Sequence, residues 1–203
     1  MKHEFLANDE DKKSKRQNIL DAAFVIFSQK GFHKATVDEI IALADTGKGT
    51  VYNYFTNKEQ LFFTLLEERG LNYHERFVQY ADDSGDVLQK LERMIRVQLE
   101  FFAENTSLWQ IMVHELRPFS KTSRLSAQQR MKYRERVDER TLLFAKVIEE
   151  GHRAGVIKYP DAQRAASMLF SIIIGTAFST SGQFEVEDRL TSIRDLVFHG
   201  IAR

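Results

Sequence analysis

Two helix-start signals, Thr36-Val-Asp-Glu39 and Asn57-Lys-Glu-Gln60, bracket a short stretch of this chain and constrain it more than any other feature. In each, a polar N-cap side chain and an acid or amide three residues later can satisfy each other's exposed backbone N–H groups. A helix must therefore begin at both places. Between them lies Asp45-Thr46-Gly47-Lys48-Gly49, which no single helix accommodates well, because glycine in a helix interior is worse than alanine by about 0.5–1 kcal/mol. The spacing predicts one short helix with Ile40, Ile41 and Ala44 turned inward, a break at Asp45-Thr46-Gly47, and a second short helix with Val51 and Phe55 on its inner face. Upstream, Ile19, Ala22, Ala23, Val25, Ile26 and Phe27 form the apolar face of a first helix, which Gly31 ends. Three helices, two of them short and joined by a tight turn, make a helix-turn-helix unit.

The second short helix has an unusual outer face. With Val51 and Phe55 inward, Lys48, Asn53, Tyr52 and Tyr54 project outward, and Gly49 offers no side chain at all. A backbone that must come close to a duplex needs that gap. Lysine can read guanine O6 and N7, and asparagine can read adenine N6 and N7, in the major groove. Tyrosine hydroxyls and the helix N-terminus after Asn57 suit phosphate oxygens. Charge agrees: from residue 12 to 58 there are eight lysines and arginines against four acids, although the whole chain of 203 residues has a formal net charge of zero.

Residues 15 to 62, with "ILDAAFVIFSQKGFHKATVDEIIALA" followed by "KGTVYNYFTNKEQLF", resemble the DNA-binding domain of the tetracycline-repressor (TetR) family of bacterial transcriptional regulators. The resemblance implies phosphate contacts from Thr36, Tyr52, Tyr54 and Lys58, and base contacts around Lys48, Gly49, Thr50 and Asn53. It also implies a long fourth helix leading to a C-terminal domain that binds an effector and dimerises. The turn departs from the family pattern, with Asp45 in place of the usual glycine and Gly47 where serine is common; aspartate tolerates left-handed geometry better than most residues. The expected architecture is all-α, with about nine helices. Residues 12–57 form the reading head, 58–81 the linking helix, and 82–203 the effector and dimerisation domain.

The C-terminal part carries no motif of its own. Leu88, Leu91, Ile95, Leu99 and Phe102 mark an amphipathic helix, 123–154 reads as a long charged helix closed by Gly155, Asp161 caps another, and Glu187 to Ile201 forms the last. Ser167, Ser171, Gly175 and Ser179 recur every four residues, a strip of small side chains that lets a second helix approach, and Leu190, Ile193, Val197 and Ile201 supply an apolar stripe. Together they predict a homodimer joined through a four-helix bundle, with plain intrachain burial of the stripe as the competing reading. Phe101, Phe102, Trp109, Met112 and Val113 concentrate large apolar groups where the family places its ligand cavity. From Arg117 to Arg136, Arg134 included, seven basic residues face the single acid Glu135. An apolar pocket with a cationic rim suits an amphiphilic anion, and "HELRPFSK" weakly resembles regulators of fatty-acid metabolism that respond to acyl-CoA. A neutral or cationic hydrophobic compound is the competing effector.

Other classes are disfavoured. The absence of cysteine removes disulfides, thiolate metal sites and cysteine nucleophiles, and fits the cytoplasm. Neither His74-Glu75 nor His114-Glu115 extends to a zinc-protease motif, because Val78 and Pro118 occupy the last position. No enzyme activity, metal or cofactor is expected. The N-terminal residues lack the apolar core of a secretory signal, and the run Ala165 to Phe178 is too short for a membrane span. The expected partners are double-stranded DNA, a small-molecule effector and a second copy of the chain. The alternative is a helical ligand-binding or scaffold protein that keeps a helix-turn-helix without using it.

Overall fold

The computed structural model describes residues 2–115, 126–178 and 184–201, and among them it forms nine α-helices. These are α1 (Lys2–Lys34), α2 (Val37–Leu43), α3 (Lys48–Tyr54), α4 (Lys58–Asp82), α5 (Val87–Glu104), α6 (Thr106–Glu115), α7 (Ala127–Arg153), α8 (Ala162–Phe178) and α9 (Val186–Ile201). Both helix-start signals operate. Thr36 Oγ1 accepts from the Glu39 N–H at 3.3 Å, and Glu39 Oε2 accepts from the Thr36 N–H at 3.0 Å. At α4, Asn57 Oδ1 accepts from the Gln60 N–H at 2.7 Å, but Gln60 Oε1 reaches one residue further back, to the Thr56 N–H at 2.6 Å. Gly31, at φ +72°, interrupts α1 and makes its last residues a separate turn. Asp45 takes φ +48°, the left-handed geometry that glycine would adopt more easily.

The chain divides into two compact units, Met1–Arg69 with Ser107–Leu125, and Gly70–Thr106 with Ser126–Arg203. The division falls inside α4 rather than at its end. Its first half supplies Leu61, Phe62 and Leu65 to one core, and its second half gives Phe77 to the other. In the first unit, Phe62 meets Phe27 and Phe32 with ring centroids 5.3 and 5.2 Å apart. α2 and α3 close over this core through buried Ile40, Val51 and Phe55. The reading head is thus fixed by aromatic contacts worth about 0.5–1.5 kcal/mol each beyond their buried area.

The second unit is built around α5, which packs against α7, α8 and α9. Leu91, Met94, Ile95, Leu99 and Phe102 fill its centre, and Phe77 meets Phe144 edge-on at 5.0 Å. Lys90 is buried with its ammonium on both carboxylate oxygens of Glu150, at 3.0 and 2.7 Å, tying α5 to α7. Two expectations are corrected here. α7 starts at Ala127, behind a capping box of Ser126 and Gln129. The stripe of Leu190, Ile193 and Val197 is buried within its own chain, where α9 packs on α5 and α8. It is core, so it cannot also face a second subunit. Ser179 lies outside the described residues, as does the side chain of Ile201.

Candidate nucleic-acid interface

α3 turns one side to the core and offers the other to solvent. Val51 and Phe55 are buried, whereas Lys48, Gly49, Asn53 and Tyr52 are exposed, Tyr52 at 45%. Thr50 and Tyr54 are half-buried, and the Tyr54 ring rests 6.2 Å from that of Phe55. The expected reading residues therefore share one short helix and one accessible side, with Thr36 exposed at the neighbouring N-cap. A Cβ added at Gly49 would meet nothing within 4 Å. Nothing in the protein requires glycine there. At Gly47, the N-cap of α3, a Cβ would meet only Thr50 Oγ1, at 3.8 Å, and the helix has no side-chain cap.

Two lysines are engaged inside the molecule. Lys48 Nζ lies 3.2 Å from Asp38 Oδ1, with both side chains largely exposed. Such a surface pair contributes about 0–1 kcal/mol and opens readily. Lys58 is held more firmly. Its ammonium donates to the carbonyls of Phe32 at 2.7 Å and Ala35 at 2.9 Å, and lies 4.7 Å from the Phe32 ring centroid. That geometry fastens the start of α4 to the end of α1, a positioning task the sequence did not reveal. Lys30 and Glu39 form a third tie at 2.6 Å. The hydrogen bond from Lys30, followed by those from Thr36, pulls the Glu39 carboxyl from 4.5 to about 2.

The residues expected around an effector are not brought into one unit. Phe101 and Phe102 belong to the second unit and are buried there, while Trp109, Met112 and Val113 lie on the part of α6 that belongs to the first. Arg134 is exposed, and Arg117 lies outside the described residues. A described cavity of about 510 Å³ sits in the first unit, lined by Phe27, Lys30, Phe32, Lys34, Gln110 and their neighbours, none of them anticipated as effector contacts. Beyond the basic run, Arg140 on α7 is half-buried, at helical spacing from Val137 and Phe144. The sequence reading missed it among so many charges. Among the described residues, no group of three or more His, Asp or Glu side chains is placed to hold a metal, and no helix is long and apolar enough to cross a membrane.

Comparison with known proteins gives this arrangement its class. Residues 19–65 match the family of bacterial regulatory proteins of the tetR type, and residues 84–201 match the tetracyclin repressor-like C-terminal domain. The chain belongs to the TetR family of DNA-binding transcriptional regulators. Regulators of this family bind DNA operators and small-molecule effectors as dimers. Among its relatives is the fatty acid metabolism regulator protein of Bacillus subtilis, 25% identical over 198 residues, spanning 94% of this chain and 97% of that protein. The fatty acid degradation regulator FadR from Bacillus halodurans has the same fold, with a TM-score of 0.77 at 23% identity, covering 92% of this chain and 95% of the other. So has the regulator PfmR from Thermus thermophilus, with a TM-score of 0.75 at 20% identity, over 91% of this chain and 99% of the other.

Proposed function

We propose that this regulator is a cytoplasmic repressor that binds a pseudo-palindromic operator as a homodimer and leaves it when a fatty-acyl effector binds within residues 82–203. The observation that carries the DNA reading is Gly49. A side chain there would touch nothing in the protein, so its absence serves to leave the outer side of α3 clear for a backbone or base edge approaching from outside. Lys48, Thr50 and Asn53 then face base edges, while Thr36, Tyr52 and Tyr54 hold phosphates and set the register.

The dimer reading keeps the strip on α8 and gives up the stripe on α9. Ser167, Ser171 and Gly175 are exposed, and the serine hydroxyls donate back to the carbonyls of Gln163 and Ser167 at 3.0 and 2.8 Å. A second α8 can therefore cover them without stranding a polar group. Met168, next to the strip, and Leu196 on α9 are both largely exposed and add apolar area for a partner to cover. The effector reading rests on the named functions of the Bacillus regulators. An effector that favours a dimer with its reading heads out of step with the groove lowers DNA affinity by linkage.

The test is a mobility shift on the DNA upstream of the gene, with and without a fatty acid, its CoA thioester and a cationic dye. Sequence-specific retardation, relieved by an acyl compound, is expected. Asn53→Ala should relax preference at one base pair per half-site by about 1–3 kcal/mol, and Gly175→Leu should yield monomers in sedimentation. Equal retardation of random DNA would overturn the operator reading, and release by the dye alone would overturn the acyl effector.

A further inference from the structure

Arg140 lies on the side of α7 that the helix turns inward. At helical spacing, Tyr133 and Val137 are half-buried and Thr141 and Phe144 are buried, so Arg140, itself half-buried, stands on the inward side of the helix. Three contacts define its position. Nη1 donates to Gln98 Oε1 at 3.3 Å, the guanidinium carbon lies 5.2 Å from the Phe101 ring centroid, and Nη2 lies 3.8 Å from where a Cβ on Gly70 would stand. That distance is ordinary van der Waals contact, so Gly70 borders the corner without crowding it.

No carboxylate among the described residues lies within ion-pair distance of Arg140. Three carboxylates near it are engaged elsewhere, although Glu139 still attracts it through space. Glu100 pairs with Arg76 at 2.7 Å, Glu104 accepts from the Tyr73 hydroxyl, and Glu139 pairs with Arg136 at 3.3 Å. Burial pushes the guanidinium down from 12.5 to about 10, which leaves it charged at neutral pH. A half-buried charge with no paired carboxylate among the described residues is under-compensated, because the Phe101 ring face and the through-space attraction of Tyr133 and Glu139 offset only part of its desolvation.

Gln98 repeats the imbalance independently. It is 2% exposed, its Oε1 is taken by Arg140, and its buried Nε2 has no hydrogen-bond partner. A buried amide donor with no acceptor thus stands beside a guanidinium whose one hydrogen bond described here is to the same amide. What such a corner lacks is a small, planar acceptor carrying one negative charge. A carboxylate has that shape, and a guanidinium fork grips it through paired N–H groups. A phosphate would bring a second charge, and Arg136, the next cation along α7, is exposed and already paired with Glu139.

We propose that Arg140 and Gln98 form the seat for the carboxylate head of an amphiphilic effector, with Phe101 against the seat. This rests on reading the second unit as the effector domain, and it narrows the acyl ligand to the free acid. A CoA thioester has a neutral acyl carbonyl at the same position and forgoes the charge pairing.

The experiment compares octanoate, dodecanoate and hexadecanoate with their alcohols and CoA thioesters on the full-length protein, by calorimetric titration and thermal shift. The wild type should bind at least one acid tenfold or more tightly than the matching alcohol. Arg140→Met should lose tenfold or more in affinity for that acid and none for the alcohol. Without ligand it should melt close to the wild type, because methionine keeps the apolar stem while a partly desolvated charge has gone. Gln98→Leu, which keeps the arginine, should weaken the acid by a smaller factor, and it serves if Arg140→Met fails to fold. Binding of none of the acids, undiminished acid binding to both variants, or preference for the thioester over the acid would each overturn the seat. Operator release separates the two readings. Acid binding that depends on Arg140 without release leaves the seat standing and removes the effector function. Release that is indifferent to both substitutions removes the seat and leaves the effector function.

Discussion

Replacing Lys58 by methionine separates two roles for one cation. The ammonium donates to the Phe32 and Ala35 carbonyls at 2.7 and 2.9 Å, at the end of α1, where helix carbonyls lack intrahelical partners. Hydrogen bonds from a charged donor net about 1.5–3 kcal/mol each, and a cation at a helix C-terminus adds about 0.3–1 kcal/mol. Lys58 is half-buried, so water replaces part of what is lost and the lower ends apply. Methionine keeps the apolar stem over Phe32. The expected loss is about 3 kcal/mol, or roughly 6–12 °C in Tm for a chain of this size. DNA affinity should fall as the start of α4 loses its anchor, but the dependence of log K on log salt should keep its slope, because no phosphate partner has been removed. Were Lys58 instead a phosphate ligand, the slope would flatten by about 0.9. Thermal denaturation and anisotropy titrations at several salt concentrations give both quantities. An unchanged Tm with a flattened slope would refute the positioning role and restore the phosphate contact.

Acid titration should expose Glu39. Its folded pKa of about 2 lies below the ordinary 4.5, so its contribution is complete above about 4.5 and disappears as pH falls toward 2. The Tm advantage of the wild type over Glu39→Gln should shrink across that window and stay constant near neutrality. Gly47→Ser should raise stability by a few tenths of a kcal/mol in denaturant titrations, since α3 has an N-cap in extended geometry with no side chain to fill it. Gly151→Ala should cost about 1–3 kcal/mol by the same measurement, because its Cβ would stand 2.7 Å from Ile157 Cδ1 and 2.8 Å from Val87 Cγ1.

The reading head was legible in the sequence because its determinants are short-range. A capping box closes within four residues, a turn within three or four, and the inner pair Val51 and Phe55 within one helical turn. Each of these local rules points to the same small structure, and that agreement made the motif readable. Lys58 escaped for the opposite reason. Its partners, Phe32 and Ala35, are 26 and 23 residues away, and they are backbone carbonyls, which carry no sequence signal at all.

The C-terminal part shows where periodicity stops being informative. An apolar stripe such as Leu190, Ile193 and Val197 says that one side of a helix is covered; whether α5 of the same chain or a second subunit covers it is decided by the tertiary fold. The charge run from Arg117 to Arg136 is ambiguous in a related way. Where described, its cations are mostly exposed, as in Lys132, Arg134 and Arg136, and a solvated face needs no ligand to explain it. The informative arginine lies four residues beyond the run, at Arg140. There the stripe Tyr133, Val137, Thr141, Phe144 demands an apolar residue, and the chain supplies a charge instead. A charge that breaks an apolar period is a stronger pointer to chemistry than a dense cluster that breaks none. Its meaning still depended on Gln98 from α5 and Gly70 from α4, which only the folded chain sets beside it.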